Sequence, residues 1–257
     1  MNTMEEYMKN YDMFKKHIVY DFQLGLGGIG DCIKFFMLIL KLCIQHQIQL
    51  HYKVNNIVLE KYLKLVYPQM YIHQFSPSHI FTTLENIKVG YYVAHPGMFY
   101  NRGDENTIEM LIKDVFYFSE EVKQNPIVNL PTPYISIHLR LGDKYLETDP
   151  NFVLVKHDTR AYDQAKLFNF IEQSTEPIFF CCDQNTYKLK VKEKFTKIHI
   201  SNCCIGHTSL SNTSEKQILD AVTECYLLTN STKIISASYS GFSVVASRFN
   251  NTPFVNL

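Results

Sequence analysis

Tryptophan is absent from this chain of 257 residues, and arginine is nearly so. Of 25 basic residues only Arg102, Arg140, Arg160 and Arg248 are arginines, and they face 25 acidic residues, for a formal net charge of zero. That balance excludes a protein whose main work is neutralising a polyanion such as nucleic acid, while leaving room for a local phosphate pocket. Long hydrophobic runs are also missing. No stretch approaches the roughly 18–20 apolar residues of a membrane span. The nearest, Ile33 to Ile44, is interrupted by Lys34 and Lys41 and reads as a buried helix. Residues 1–16 carry no apolar segment or small-residue cleavage site, so no secretory signal and a cytoplasmic protein are expected. The seven cysteines include no CxxC; Cys181-Cys182 and Cys203-Cys204 are vicinal pairs. They read as small strand residues in a reducing compartment rather than as disulfides or zinc ligands. In that setting Asn212-Thr213-Ser214 and Asn230-Ser231-Thr232 are chance matches to the glycosylation pattern.

What remains is 46% apolar and 19% charged, the composition of a folded domain. Strand and helix patterns alternate along it. Strands are expected at Ile18–Leu24, Gln49–Val54, Met70–Phe75, Ile80–Thr82 and Val89–Val93. Helices are expected at Cys32–His46, Val58–Val66 and Thr107–Phe118. The segment Gln124–Pro133 holds Pro126, Pro131 and Pro133, which break both helix and ladder. It sets an expected boundary between residues 1–125 and 126–257. Beyond it strands at Tyr134–Leu139, Ile178–Cys182, Lys197–Ser201, Lys233–Ser236 and Phe254–Val255 alternate with helices. Those helices lie at Tyr162–Gln173, Thr186–Phe195, Glu215–Leu228 (capped by Ser214) and Gly241–Phe249. The alternation predicts α/β architecture with parallel sheets, in two Rossmann-like lobes facing a cleft. Ligands in such sheets sit beyond the carboxyl ends of the strands, so the loops after Leu24, Leu139, Cys182 and Ser236 draw attention.

The first of these, Gly25-Leu26-Gly27-Gly28-Ile29-Gly30, satisfies GxGxxG between a strand and a helix. Its glycines, Gly28 and Gly30 among them, allow close approach of an anion to helix N–H groups. A dinucleotide reading further needs an acid at the end of the second strand, where the chain has Lys53-Val54-Asn55-Asn56. Asp31 follows the loop, either as a general base toward an acceptor hydroxyl or as a cap complementing the helix dipole. The second loop, His138-Leu139-Arg140-Leu141-Gly142-Asp143-Lys144, places a scarce arginine at a strand end. A guanidinium fork matches two phosphate oxygens in a way lysine does not. Arg140 reads as an anion ligand or as a bridge to Asp143; His138, on the same strand face, as a ligand donor or a core histidine.

His138-x-Arg140-x-Gly142-Asp143 after a short apolar strand resembles the first motif of the fucosyltransferase superfamily. That group includes the α1,2- and α1,6-fucosyltransferases and the protein O-fucosyltransferases, and in it the arginine binds the nucleotide diphosphate. The run from Asp220 to Pro253, with Ser236, Ser238 and Ser240-Gly241-Phe242-Ser243, resembles the family's last motif. The resemblance implies that Ser238, Ser240, Phe242, Ser243 and the helix amides hold donor phosphates. Phe179-Phe180-Cys181-Cys182-Asp183 resembles the family's strand ending in an aspartate near the nucleotide, which implies the same of Asp183. The glycine loop resembles an acceptor-side opening loop, and is similar to that of heptosyltransferase-like enzymes, where such an aspartate is the base. Many α1,2 members carry a second arginine where this chain has Leu141, so diphosphate neutralisation is implied to lean on Lys144, Arg248 or backbone N–H groups.

The resemblance implies a compact GT-B fold, a nucleotide-sugar donor and a glycan acceptor. GDP-fucose is the first choice of donor, UDP-xylose or another nucleotide sugar the second. No DxD sequence is present to hold a divalent ion on a diphosphate. The expected reaction is therefore metal-independent inverting transfer, with no cofactor beyond the donor. In it Arg140, Ser240 and Ser243 stabilise the leaving group, Asp31, or next Asp143, is the base, and Asp183 is a candidate for the base or for a ribose contact. Competing classes are an NAD-binding oxidoreductase, from GxGxxG, and a noncatalytic nucleotide- or glycan-binding module.

Overall fold

The computed structural model describes residues 3–76, 79–99, 110–146 and 158–257. The first half contains α1 (Thr3–Lys9), β1 (Lys16–Tyr20), α2 (Ile29–His46), β2 (Gln49–Lys53), α3 (Leu59–Tyr62), β3 (Leu63–Leu65), β4 (Tyr71–Ile72), β5 (His79–Ile80), β6 (Gly90–Ala94), β7 (Phe116–Phe118) and α4 (Glu120–Gln124). The second half contains β8 (Ile135–Leu139), α5 (Gln164–Gln173), β9 (Ile178–Cys182), α6 (Asn185–Lys194), β10 (Ile198–His199), α7 (Glu215–Thr229), β11 (Ile234–Ser236), α8 (Gly241–Asn250) and β12 (Phe254–Asn256). Two five-stranded sheets result, in the orders β4-β2-β1-β6-β5 and β10-β9-β8-β11-β12. Every pairing within them is parallel.

Alternation fixes the second sheet. Along β8, Ile135, Ile137 and Leu139 pack into one core, with Phe180 and Ile235 from the neighbouring strands, while Ser136 and His138 point to the opposite face. That second face joins the larger core, which runs through both halves. Phe179, Cys181 and Ile234 belong to it together with Ile33, Phe36 and Leu40 of α2 and Val222, Val245 and Phe249 of α7 and α8. Residues 125–134, between the sheets, form neither helix nor strand. The two sheets lie on either side of this segment in sequence, while α7 and α8 pack into the core of the first half.

Caps set the helix ends. Ser214 and Gln217 form a reciprocal capping box at α7, and Ser240 caps α8 by accepting from Phe242 N–H. At the far end of α2 the left-handed Gln47 turns its amide back to the Cys43 and Ile44 carbonyls.

Two expected helices are corrected. Val58–Val66 becomes the short α3 followed by β3, and the described part of Thr107–Phe118 becomes a 3₁₀ turn at Ile112–Asp114 followed by β7; residues 107–109 lie outside the described residues. β3 and β7 pair antiparallel, Leu63 opposite Phe118 and Leu65 opposite Phe116. All four side chains are buried. Pairing across the fold overrides the helical spacing each segment shows alone. β1 also ends at Tyr20 rather than Leu24, which lengthens the loop before α2. No helix of the described residues is long and apolar enough to cross a membrane.

Candidate active site

A cavity of about 640 Å³ lies where the glycine loop, the β8 loop and the start of α8 meet. Of the residues picked out in the sequence, Gly28, Gly30, Asp31, His138, Arg140, Asp143, Asp183, Ser240 and Phe242 line it; Ser238 and Ser243 do not.

The glycine loop is not an open anion cradle. Gly25 N–H donates to Ser209 Oγ at 2.6 Å and Ser209 O at 3.0 Å, Gly27 N–H to Ser209 Oγ at 3.4 Å, and Ile29 N–H to Thr208 Oγ1 at 3.0 Å. Amides that a dinucleotide would need are held by the second half of the chain, which counts against the oxidoreductase alternative. Gly30 has a different task from the expected one. A Cβ there would lie 2.8 Å from the Gly241 carbonyl carbon and 2.9 Å from Phe242 N, so its bareness lets α2 and α8 cross backbone to backbone. At Gly28 a Cβ would meet His207 and Thr208. Asp31, in the first turn of α2, folds its carboxylate over Gly27, whose φ of +123° suits glycine.

Arg140 sits in a collar of carboxylates. Its Nη2 pairs with Asp143, closely, and with Asp158 at 3.7 Å, and its Nε with Asp183 at 3.4 Å. The bridge to Asp143 is therefore present, and among the described residues no ion pair engages Nη1. Asp183 is nearly buried and accepts from Leu141 N–H at 2.7 Å and Gly142 N–H at 2.9 Å. Burial pushes its carboxyl up, against Arg140 and those amides. Its oxygens tie Leu141 and Gly142 N–H and the Arg140 Nε together, so it holds the arginine loop in shape. Arg160 pairs with Asp158 at 3.0 Å, and Asp143 N–H donates to Asp158 at 3.1 Å. Sequence reasoning passed over Asp158 and Arg160, although the scarcity of arginine was a usable signal for the second.

His138 is buried and stacks on Phe242, ring centroids 5.1 Å apart at 27°. Burial and the Arg140 guanidinium push its pKa down to about 3, so the ring is neutral. Its Nδ1 and the Ser136 hydroxyl are the buried side-chain atoms without a partner among the described residues.

The serines of the last motif divide. Ser240 caps α8 at the cavity wall. Ser238 Oγ accepts from Arg140 N–H and donates to Arg140 O, both at 2.8 Å, clasping the arginine's backbone. Ser243 is fully buried; its hydroxyl donates to Ser240 O at 3.2 Å and meets Ser236 Oγ. The phosphate role expected of Ser238 and Ser243 is corrected accordingly: their hydroxyls are spent inside the protein. Lys144 packs over Tyr145, and Arg248 lies in the last turn of α8, the end remote from Gly241; neither lines the cavity. Lys34 of α2 and Arg160 do.

His207, from the loop between β10 and α7, also lines the cavity and was missed because that loop has no periodic pattern. Burial and Arg140 lower its pKa, opposed by Asp143 and Asp158.

Two parallel α/β sheets with a cleft between them define the GT-B class of glycosyltransferase folds, and the solved structures similar to this chain agree. The fucosyltransferase NodZ from Bradyrhizobium is 11% identical, with a TM-score of 0.56 over 90% of this chain and 92% of its own. POFUT1 in complex with GDP is 12% identical at TM-score 0.52, covering 95% of this chain and 99% of its own. A mutant of Arabidopsis thaliana FUT1 in complex with GDP is 11% identical at TM-score 0.52, covering 100% of this chain and 75% of its own. These likenesses establish the fold. No protein-family profile matches the chain, and no curated protein matches it.

Proposed function

We propose that the chain is a glycosyltransferase that moves a sugar, fucose from GDP-fucose in first place, to a glycan hydroxyl. The observation that carries this reading is the meeting of Arg140, Asp31 and the start of α8 around one cavity, in the fold of structures described with GDP bound. A NodZ α1,6-fucosyltransferase soaked with GDP-fucose, 10% identical at TM-score 0.51 over 91% of this chain, adds the sugar donor to that support. The diphosphate would lie against Arg140 Nη1 and the first amides of α8, whose dipole favours an anion. An acceptor hydroxyl would then attack the anomeric carbon as the bond to the diphosphate breaks, inverting that centre. Asp31 would take the hydroxyl proton, while Arg140 and the α8 amides steady charge on the leaving oxygen. Asp143 is the second choice of base, since its carboxylate is already paired with the Arg140 guanidinium.

We propose further that no divalent ion is required. At the cavity wall Asp143, Asp158 and Asp183 are each engaged by an arginine or by loop amides, which supports neutralisation by the chain itself.

The test is calorimetry of GDP, UDP and NAD with chelator present, followed by GDP-fucose hydrolysis by wild type, Asp31→Asn and Arg140→Ala. GDP binding with turnover that falls in both variants is expected. NAD binding without nucleoside diphosphate binding would refute the transferase reading. GDP binding without hydrolysis or transfer would indicate a noncatalytic module.

A further inference from the structure

We propose that His207 is a ligand contact, its Nε2–H donating to an oxygen of the donor's diphosphate. The inference rests on the transferase reading and adds to it a residue from outside the motifs. The tautomer follows from one hydrogen bond. Ser209 N–H donates to His207 Nδ1 at 3.2 Å, and a backbone amide only donates, so Nδ1 is the unprotonated nitrogen. A neutral ring then carries its proton on Nε2.

That edge lies at the cavity. Cε1 and Nε2 are each 3.5 Å from where a Cβ would stand at Gly28, the residue before α2, and both residues line the cavity. Nε2 has no hydrogen-bond partner among the described residues. It is not among the buried atoms lacking one, and so is open to the cavity. The same loop anchors the ring on both sides: Thr208 and Ser209 hold Ile29, Gly27 and Gly25, and Thr213 Oγ1 donates to His207 O at 2.8 Å. The ring is thus an oriented donor, ready before any ligand arrives.

The chemistry of the wall says which ligand it suits. Asp143, Asp158 and Asp183 take up Nε and Nη2 of Arg140. An anion beside Nη1 needs additional donors that bring no further carboxylate with them, and a neutral imidazole N–H is such a donor. As a base the ring would have to release its hold on Ser209, since its free nitrogen faces the backbone.

Two isosteric variants separate donor from prop. Gln places an amide N–H near the position of Nε2, whereas Asn places a carbonyl oxygen near Nδ1, keeping the Ser209 bond and losing the donor. Calorimetry with GDP and with inorganic pyrophosphate is compared for wild type, His207→Gln and His207→Asn. The expected result is loss of affinity for both probes by about 10- to 100-fold in His207→Asn, the worth of a hydrogen bond to a charged oxygen, with rescue to within a few-fold in His207→Gln. Equal loss in both, no loss in either, or a wild type that binds neither probe overturns the proposal. Should both variants misfold, ¹⁵N spectra of the wild-type imidazoles decide: an Nε2–H ring whose resonance moves with pyrophosphate supports it, and an Nδ1–H ring or an unmoved one refutes it. If binding behaves as expected but GDP-fucose is neither hydrolysed nor used, the transferase reading falls and the His207 contact stands.

Discussion

His138 offers a quantitative check on the electrostatics of the cavity wall. Burial and the Arg140 guanidinium bring its pKa down to about 3 from an ordinary 6.5. The unfolded chain therefore binds a proton between pH 6.5 and 3 that the folded chain refuses, and folding stability falls as the pH falls through that window. At about 1.4 kcal/mol per pH unit, His138 costs the folded state roughly 2 kcal/mol at pH 5. His51, pushed down to about 4 by burial and by His17, and His17 itself, lowered by burial, act in the same direction. Comparison with a non-titrating variant removes their contribution. Urea unfolding of wild type and His138→Gln is measured at pH 7 and pH 5 without ligand. Wild type is expected to lose about 2 kcal/mol more than the variant over that interval. Equal losses would mean that the ring is hydrated or charged in the folded protein, and would refute both its burial beside Arg140 and its neutrality.

Three substitutions test the packing around the cavity. Gly30→Ala puts a methyl group against the Gly241 and Phe242 backbone; thermal unfolding should show a loss of about 1–3 kcal/mol, as overpacking does, and an unchanged melting temperature would deny the close crossing. Thr208→Val keeps the shape but leaves the buried Ile29 N–H without its acceptor, so a loss of about 1–3 kcal/mol is expected in urea, with faster amide exchange at Ile29. Asp183→Asn removes the charge facing Arg140 Nε and sets an amide against one of two loop N–H groups. A loss of about 3–5 kcal/mol, the cost of breaking a buried pair, is expected together with weaker GDP binding, and full GDP affinity would show that the loop does not depend on it.

The second half was the more legible because its signals are local. Ile135 to Leu139 alternates apolar and polar residues and Ile178 to Cys182 is a short apolar run, and Ser214 with Gln217 is a capping box in sequence and in space. The loop carrying Arg140 fell where a strand had to end. What stayed hidden depends on contacts between distant residues. β3 and β7 look helical alone and become strands only by pairing. The hold of Ser209 on Gly25 spans 184 residues of chain, and that of Thr208 on Ile29 spans 179. No local pattern announces such contacts, so the glycine loop read as a ligand cradle and His207 went unnoticed. Ser243 shows the same limit: a serine at a helix start reads as a phosphate ligand until its burial is known.

The scarcity of arginine acquires a physical reason at position 140. The lining of the cavity carries Lys34, Arg140 and Arg160 against Asp31, Asp143, Asp158, Asp183 and Glu224, two more acids than bases. Such a wall does not attract a diphosphate by net charge. It fixes one cation in place, and three carboxylates around a lysine would occupy all three of its N–H bonds. A guanidinium has five N–H bonds in a rigid plane. With Nε and Nη2 given to the collar, Nη1 still points a donor pair in a direction set by the other two nitrogens. Attraction must then come from groups outside the collar: Lys34, the amides at the start of α8 and the Nε2–H of His207. Lysine at 140 would keep the charge and forfeit the geometry, so Arg140→Lys should bind GDP about as poorly as Arg140→Ala, and calorimetric affinity for Arg140→Lys close to wild type would show that the collar serves charge rather than direction.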